Sequence, residues 1–135
     1  MSTLKNQTSN LAKDEFTENI PKKVDIINCI QQIWGNNCEA WTLLQTENLS
    51  ILEERMPEHT SDNMHYHTKA DQFLYVLEGE VTVNIKNDYM TLTKNQGIHI
   101  SATTPHCVIN RSNESARFLL ISSPYHRDDR VLVDL

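Results

Sequence analysis

The sequence predicts an all-β protein, an antiparallel sandwich or barrel formed by a single domain. Short stretches rich in aromatic and β-branched residues follow one another between residues 40 and 123, and turn-forming pairs such as Glu78-Gly79 and Asn87-Asp88 separate them. Short strands at such intervals are typical of sandwiches and barrels. The length of 135 residues fits one domain with one core. We therefore expect residues 19–135 to form one β-barrel domain.

The strands are predicted in chain order from their runs of apolar and β-branched residues. Their predicted bounds are Ala40–Gln45, Leu49–Arg55, Met64–His67, Gln72–Leu77, Val81–Ile85, Tyr89–Thr93, Ile98–Ile100, His106–Asn110 and Arg117–Ser122. The apolar tail Val131–Leu135 is predicted to add one more strand at a sheet edge. Because side chains alternate along a strand, Gln72, Leu74 and Val76 should share the inner face.

The chain before the first of these strands divides into two segments. Residues 1–18 are rich in Asn, Thr, Ser, Lys and Glu and lack apolar periodicity, which predicts a polar, loosely ordered lead. From Pro21 to Trp34, isoleucines recur at helical spacing, with the proline near the start and Gly35 just past the end. This pattern predicts a short N-terminal helix that packs on the barrel.

The composition excludes several classes of function. The formal net charge is −6 and basic residues cluster nowhere beyond Lys22-Lys23, so we expect no nucleic-acid or anionic-membrane partner. No apolar stretch approaches the roughly 20 residues that span a bilayer, and the first residues lack the apolar core of a signal peptide. Cys29, Cys38 and Cys107 are odd in number and well separated, which favours reduced thiols. We therefore expect a cytoplasmic protein.

A group of histidines carries the strongest functional signal. His65 and His67 are separated by one residue, so on a strand both side chains point to the same face. Gln72 begins the next predicted strand and His106 begins a later one. Three imidazoles and one amide oxygen that converge from different strands could hold a divalent first-row metal ion and leave room for water or substrate. We predict a metal site formed by His65, His67, Gln72 and His106, in which Gln72 either binds the ion directly or hydrogen-bonds a metal-bound water or a histidine.

The spacing of these residues resembles the two signature motifs of the cupin superfamily of small β-barrels. The residues that match those motifs are His65, His67, Gln72, Gly79, His106 and Asn110. The resemblance covers roughly residues 40–123. It implies a cupin-type double-stranded β-helix, also called a jelly-roll barrel, with the metal ion bound inside.

The chain departs from the cupin motifs at the acidic ligand and at the turns. Gln72 stands where the family has Glu, so the site would lack that negative charge. His59, Asn95 and Thr103 stand where the family has Gly. Asn tolerates a left-handed backbone, whereas a β-branched residue is poorly suited to it. We therefore expect the turn at Thr103 to differ in shape and to shift His106 slightly.

The remaining ionisable candidates have structural alternatives. His59 is predicted to lie in a solvated turn, and His99 is expected on the outer surface rather than in the cavity. Arg55 would either hold an anionic substrate or form a surface ion pair with Glu53 or Glu54. Alternation predicts an otherwise aliphatic wall around the metal, with no close pair of carboxylates and no obvious general base.

Two classes of function remain. The first is a metal-dependent enzyme that acts on a small polar or anionic molecule, since similarity to cupins allows dioxygenase, other oxygenase, isomerase or lyase chemistry. The second is a binding module that captures a small molecule for sensing without turnover. Fold alone does not decide between them, and Fe, Ni, Zn, Mn, Co or Cu would each suit the ligands to some degree. The resemblance also implies a homodimer, with Val131–Leu135 as a candidate contact.

Overall fold

The computed structural model describes residues 21–125 and 128–134, which contain twelve β-strands. The strands are β1 (Ile30–Trp34), β2 (Cys38–Gln45), β3 (Ser50–Met56), β4 (Thr60–Ser61), β5 (His65–His67), β6 (Asp71–Glu78), β7 (Glu80–Ile85), β8 (Asp88–Thr93), β9 (Gly97–Ile100), β10 (His106–Asn110), β11 (Ala116–Ser123) and β12 (Arg130–Leu132). No helix long and apolar enough to cross a bilayer is found in these two ranges. The polar lead predicted over residues 1–18 lies outside the described residues.

The strands form two antiparallel sheets packed face to face. One sheet has the order β1-β2-β3-β11-β6-β9, and the other has the order β12-β5-β10-β7-β8, with β4 also paired to β10. This arrangement confirms the all-β prediction, and β2, β3 and β5 to β11 match the nine predicted strands to within about two residues at either end. The C-terminal strand β12 lies at a sheet edge, as predicted, and pairs there with β5 of the same chain.

The predicted N-terminal helix over Pro21–Trp34 is wrong. Residues 30–34 form β1 instead, which pairs antiparallel with β2 from Ile30 opposite Thr42 to Trp34 opposite Cys38. The isoleucines that suggested a helix face do not pack as one, since Ile30 remains 70% exposed. A hairpin is formed because the chain can turn sharply after Trp34, where Gly35 adopts a positive φ of 53°.

The apolar core lies between the two sheets. Its largest fully buried side chains include Phe118 on β11, Met56 on β3 and Leu74 on β6. Gln72 is also buried, so the predicted inward face of β6 is confirmed. Cys29, Cys38 and Cys107 are free, as expected. A cavity of about 560 Å³ opens beside this core, and Leu74 and Phe118 form part of its wall.

Three turns have a left-handed backbone at positions where the cupin motifs have glycine and this chain has another residue. His59, Asn95 and Thr103 have φ values of 56°, 68° and 68°. Gly79, the glycine of the first motif, has φ 75° and could not carry a Cβ, which would lie 2.7 Å from the carbonyl oxygen of Ser115. The predicted change of turn shape at Thr103 is therefore not observed: the non-glycine residue accepts the strained conformation, and its N–H donates to the carbonyl of His67.

Replacing Thr103 with glycine should stabilise the protein by about 0.5–1 kcal/mol. The left-handed conformation costs a β-branched residue about 1–2 kcal/mol, and the extra freedom of glycine in the unfolded chain offsets part of the gain. The Thr103 side chain is exposed, so little packing is lost. Asn95→Gly is the matched control, and its gain should be smaller because Asn tolerates this φ. Equal stability of wild type and Thr103→Gly in urea unfolding would contradict strain at Thr103.

Candidate metal centre

Three histidines from two strands converge on the cavity. His65 and His67 lie on β5 and His106 lies on β10, and each offers a ring nitrogen within 4.8 Å of the other two. His106 pairs directly with His65 across the two strands, and their ring centroids are 4.4 Å apart. The single residue between His65 and His67 places both rings on the same side, as the alternation of a strand requires. The structure thus brings the three predicted histidines together.

Each of the three rings is held through its Nδ1 atom. Nδ1–H of His65 donates to the carbonyl of Asn63 at 2.7 Å, and Nδ1–H of His106 donates to the carbonyl of Thr104 at 2.8 Å. A carbonyl can only accept, so these two rings carry their proton on Nδ1 and leave Nε2 as a free lone pair. This tautomer is the one that a histidine needs to bind a metal ion through Nε2.

Burial keeps two of the rings neutral. Removal from water lowers the pKa of His65 to about 3 and also lowers the pKa of His106, and the neighbouring rings add to the effect. A protonated imidazole has no lone pair for a metal, so a neutral ring is the form that binds. The three donors are therefore chemically suited to a divalent transition metal ion.

The third ring, His67, is oriented by Asp129. Its Nδ1–H donates to Asp129 Oδ1 at 2.8 Å, and the other carboxylate oxygen accepts the backbone N–H groups of Ala70 at 3.0 Å and Lys69 at 3.2 Å. Burial alone would raise the pKa of Asp129, but these hydrogen bonds lower it below its ordinary value, so the carboxylate is ionised. A carboxylate that fixes a histidine in this way is a common support for a metal ligand.

Asp129→Asn should lower the affinity for a divalent metal ion by about 10–100-fold. The two backbone N–H groups require an acceptor, so they would hold the amide oxygen and turn the amide nitrogen toward His67. That nitrogen is a donor, which would force the proton of His67 onto Nε2 and block metal binding. Titration calorimetry with Zn²⁺ measures the loss. Asp128→Asn, at the exposed neighbouring position, should bind like wild type, whereas equal affinity of Asp129→Asn would contradict the role of Asp129.

Gln72 faces the same cavity from β6. Its amide nitrogen donates to Ser122 Oγ at 3.0 Å, which leaves the amide oxygen as the free end of the side chain.

Asn110, the last residue of the second motif, has a structural role. Its amide nitrogen donates to the carbonyls of Met56, Pro57 and Glu114, so it ties the end of β10 to two loops.

The cavity wall is more polar than alternation along single strands predicted. Glu54 of β3, Asp62 after β4 and Arg130 of β12 line it together with the histidines. The expectation of an aliphatic wall without a candidate base is therefore wrong. The sequence alone does not predict Glu54 as a cavity residue, because Glu53 and Arg55 flank it and a stretch of three charged residues does not show which one faces inward.

The two acidic groups are perturbed mainly by burial. Burial, followed by the nearby charge of Asp62, raises the pKa of Glu54 to about 8. Burial also raises the pKa of Asp62 to about 6, although the N–H of Val108, which donates to it at 2.9 Å, acts in the opposite direction. Arg130 partly compensates both carboxyl groups. Its Nη2 lies 3.4 Å from His65 Nδ1, which places a cation beside the histidine cluster.

The remaining ionisable candidates lie outside the cavity. Arg55 forms an ion pair with Glu39, so the surface alternative is correct, although its partner was not the one expected. His59 lies in an exposed turn, where its Nε2 is 2.9 Å from Asn113 Oδ1. His99 is exposed as well and pairs with Asp71 at 3.5 Å. Both histidines are structural or surface residues, as predicted.

Comparisons with known proteins identify the family. The family described as Cupin domain matches residues 52–122, more than half of the chain. The tetracenomycin polyketide synthase protein TcmJ of Streptomyces glaucescens is 30% identical over 60 residues, which are 44% of this chain and 40% of TcmJ. The chain therefore aligns with about two fifths of the length of that relative.

Solved structures share the fold. The polyketide cyclase RemF from Streptomyces resistomycificus superposes with a TM-score of 0.75 and 18% identity, over 86% of this chain and 87% of RemF. A sugar phosphate isomerase from Silicibacter pomeroyi superposes with a TM-score of 0.67 and 19% identity, over 77% of this chain and 76% of the isomerase. These similarities confirm the cupin-type jelly-roll barrel that the motif spacing implied. By its sequence match and its two-sheet barrel, the chain belongs to the cupin family.

Proposed function

We propose that this protein is a metal-dependent cupin enzyme that acts on a small anionic molecule. The observation that carries the proposal is the convergence of His65, His67 and His106 on a cavity of about 560 Å³, with Nδ1 of His65 and of His106 bound to backbone carbonyls. These three residues and the amide oxygen of Gln72 would hold one divalent transition metal ion. Such an ion would supply Lewis-acid activation of an oxygen, of water or of dioxygen.

The positive charges at the cavity support an anionic substrate. Gln72 brings no negative charge to the ligand set, so a bound divalent ion would keep its full positive charge toward the cavity. Arg130 adds a guanidinium beside His65, and its planar fork suits a carboxylate or phosphate. Apolar side chains, among them Leu74 and Phe118, form much of the remaining wall. A small molecule with an anionic end and an apolar body fits this surface.

The alternative is a metal-bearing cupin that binds and senses such a molecule without turnover. The acidic residues Glu54 and Asp62 in the cavity favour the enzyme, because a binding site for an anion gains nothing from two additional carboxyl groups. The names of the neighbouring structures, a cyclase and an isomerase, also support placing the chain among catalytic cupins. A homodimer and a cytoplasmic location stay predictions from the sequence.

The proposed function is tested by measuring both the binding of an anionic probe and the turnover of candidate substrates. Metal-loaded protein is titrated with benzoate as an anionic, apolar probe, and then tested for metal-dependent conversion of a panel of small carboxylic acids. We expect Arg130→Ala to weaken benzoate binding by about tenfold or more, since a charged hydrogen bond contributes about 1.5–3 kcal/mol. Arg111→Ala is the control, because Arg111 lies over the Tyr89 ring instead. Tight binding without turnover of any acid would support the sensing alternative, and failure to bind metal would refute both.

Gln72 provides a separate prediction. If its oxygen binds the metal, Gln72→Glu should tighten divalent-metal binding and weaken benzoate binding, because the net charge of the site falls by one. Gln72→Ala should lower metal affinity by about 10-fold or more. Metal titration of the three proteins side by side distinguishes these outcomes, and unchanged metal affinity in both variants would remove Gln72 from the site.

A further inference from the structure

Glu54 is an acidic residue with apolar neighbours on both adjacent strands. It lies on the inner face of β3, and its cross-strand neighbours are Ala40 on β2 and Phe118 on β11. Only 8% of Glu54 is exposed, and it borders the same cavity as the histidine cluster. Placing a carboxyl group in such surroundings costs folding free energy. The position is therefore unfavourable for stability, which points to a role in function.

Among the residues that the structure describes, the Glu54 carboxyl has no ion-pair partner. Its sequence neighbour Glu53 points to the outer face and pairs with Arg117, so β3 carries, within this part of the chain, one paired and one unpaired glutamate side by side. The indole of Trp34 lies beside Glu54, and its Nε1–H acts as a donor toward the carboxyl, which lowers the pKa of Glu54. This Nε1–H is buried and makes no hydrogen bond of ordinary geometry within the described residues, to Glu54 or to any other group. The indole and the carboxyl are therefore neighbours without a well-formed hydrogen bond, which leaves both groups available to a bound molecule.

Asp62, the second acidic residue of the cavity, is already engaged. One of its oxygens accepts the N–H of Val108 at 2.9 Å, and the other lies 3.8 Å from His65 Nδ1. Asp62 therefore supports the histidine side of the cavity. Glu54 is left as the carboxyl group free to meet a molecule that lies between the two sheets.

We propose that Glu54 is the acid–base catalyst of this cavity and that its substrate is a small carboxylic acid with a carbonyl group next to an acidic C–H bond. This proposal rests on the function proposed above, which places the anionic end of the substrate near Arg130. The carbonyl oxygen would face the histidines, and the adjacent carbon would face Glu54. Trp34 would donate a hydrogen bond to an oxygen of the same molecule.

The proton transfer needs no other reactant. The ionised Glu54 carboxylate accepts a proton from the carbon next to the carbonyl. The electron pair of the broken C–H bond forms a carbon–carbon double bond, and the π pair of the carbonyl moves to its oxygen. The neutral Glu54 then returns the proton to the same or a neighbouring atom as the electron pairs move back. Nothing is oxidised or reduced, and the outcome is proton exchange or isomerisation.

The environment of Glu54 suits this exchange. A carboxyl group catalyses best in both directions when its pKa lies near the working pH, and burial brings Glu54 into that range. An exposed glutamate would be a much weaker base. The positive charge of Arg130 across the cavity keeps the ionised form accessible near neutral pH.

The test measures hydrogen exchange at carbon with 2-oxobutyrate as the probe. Zn²⁺-loaded full-length protein is incubated with 2-oxobutyrate in D₂O, and proton NMR follows loss of the C3 signal. We expect wild type to accelerate exchange beyond free Zn²⁺ and buffer. Glu54→Gln should lower the exchange rate at least 100-fold, the range typical of a lost acid–base group, while Zn²⁺ content and probe affinity stay unchanged. Glu53→Gln, on the outer face of the same strand, is the matched control and should exchange like wild type.

Three other results would contradict the role of Glu54 or of the metal site. Exchange by Glu54→Gln at the wild-type rate would overturn the role of Glu54. The wild-type protein could also bind both Zn²⁺ and 2-oxobutyrate and yet exchange the C3 hydrogens no faster than free Zn²⁺ does. That result would overturn the role of Glu54 as well, but the metal site and the anion site would stand. Absence of Zn²⁺ binding would refute the proposed function itself. Thermal melting of each variant, recorded in parallel, separates a lost catalyst from a lost fold.

Discussion

His106→Ala is expected to lower the affinity for a divalent metal ion by more than 100-fold. Loss of a group that only supports a ligand costs about 10–100-fold, and loss of a ligand itself should cost more. In the proposed site His106 is the ligand that β10 would supply, so its removal would leave the metal with His65 and His67 of β5 and the proposed ligand Gln72 of β6. Titration calorimetry with Zn²⁺ measures the change.

The effect of Zn²⁺ on the Tm of His106→Ala is a second test of the same metal site. A metal ion that binds the folded state alone stabilises it by about 2.7 kcal/mol at 100 times its dissociation constant, so Zn²⁺ should raise the Tm of wild type but not of His106→Ala. His99→Ala is the matched control, because His99 lies on the exposed outer face. Retention of the Zn²⁺-dependent Tm shift in His106→Ala would place the metal elsewhere.

Glu54→Gln is expected to stabilise the metal-free protein by about 3–5 kcal/mol at pH 8 and by little at pH 4. Burial holds the pKa of Glu54 at about 8 in the folded chain, against 4.5 for an ordinary glutamate. Between these values the unfolded chain releases the proton and the folded chain keeps it. Folding therefore becomes less favourable as pH rises through this window, and Gln, which is always neutral, removes the penalty. Asp62, whose pKa burial raises to about 6, contributes in the same direction.

Urea unfolding of both proteins at pH 4 and pH 8 measures the effect. Glu53→Gln controls for the loss of one negative charge on β3. The same difference between wild type and Glu54→Gln at both pH values would contradict a buried, neutral Glu54. A destabilised Glu54→Gln at pH 8 would show instead that the ionised carboxylate has a stabilising partner.

The strands could be predicted from the sequence because their alternation of side chains matches the burial of those side chains in the folded barrel. In β6 the inward Gln72, Leu74 and Val76 are buried and Phe73 is 40% exposed, which is the alternation that the sequence shows. Such agreement arises when one face of a strand packs on a core and the other meets solvent.

The helix prediction failed because helical spacing of a few isoleucines is a weak signal. Ile27 is 90% exposed and Ile30 is 70% exposed, so neither packs on the barrel. What decides the conformation is the hydrogen-bonded ladder between β1 and β2, a contact that spacing within one segment does not contain. The turn residues Gly35-Asn36-Asn37 between two apolar stretches were the available signal for a hairpin.

The candidate site was predictable only where its residues lie in motifs. His65, His67 and His106 occupy fixed spacings, so their convergence could be expected. Asp129 lies 62 positions from His67, within a charged stretch that looks like a solvated loop, and only the pairing of β12 with β5 brings it to the ring. Arg130 reaches the cavity through the same pairing. The neighbouring residues His126 and Arg127 lie outside the described residues.

X-ray absorption spectroscopy of the Zn²⁺-loaded protein shows directly whether the three histidines bind the metal. We expect one ion per chain, with a first shell of nitrogen and oxygen at about 2.0–2.2 Å and the outer-shell scattering of three imidazoles. His106→Ala should lose one imidazole contribution or the ion altogether. A sulfur ligand at about 2.3 Å, which would indicate cysteine, or fewer than two imidazoles around the bound ion would contradict a metal centre formed by His65, His67 and His106.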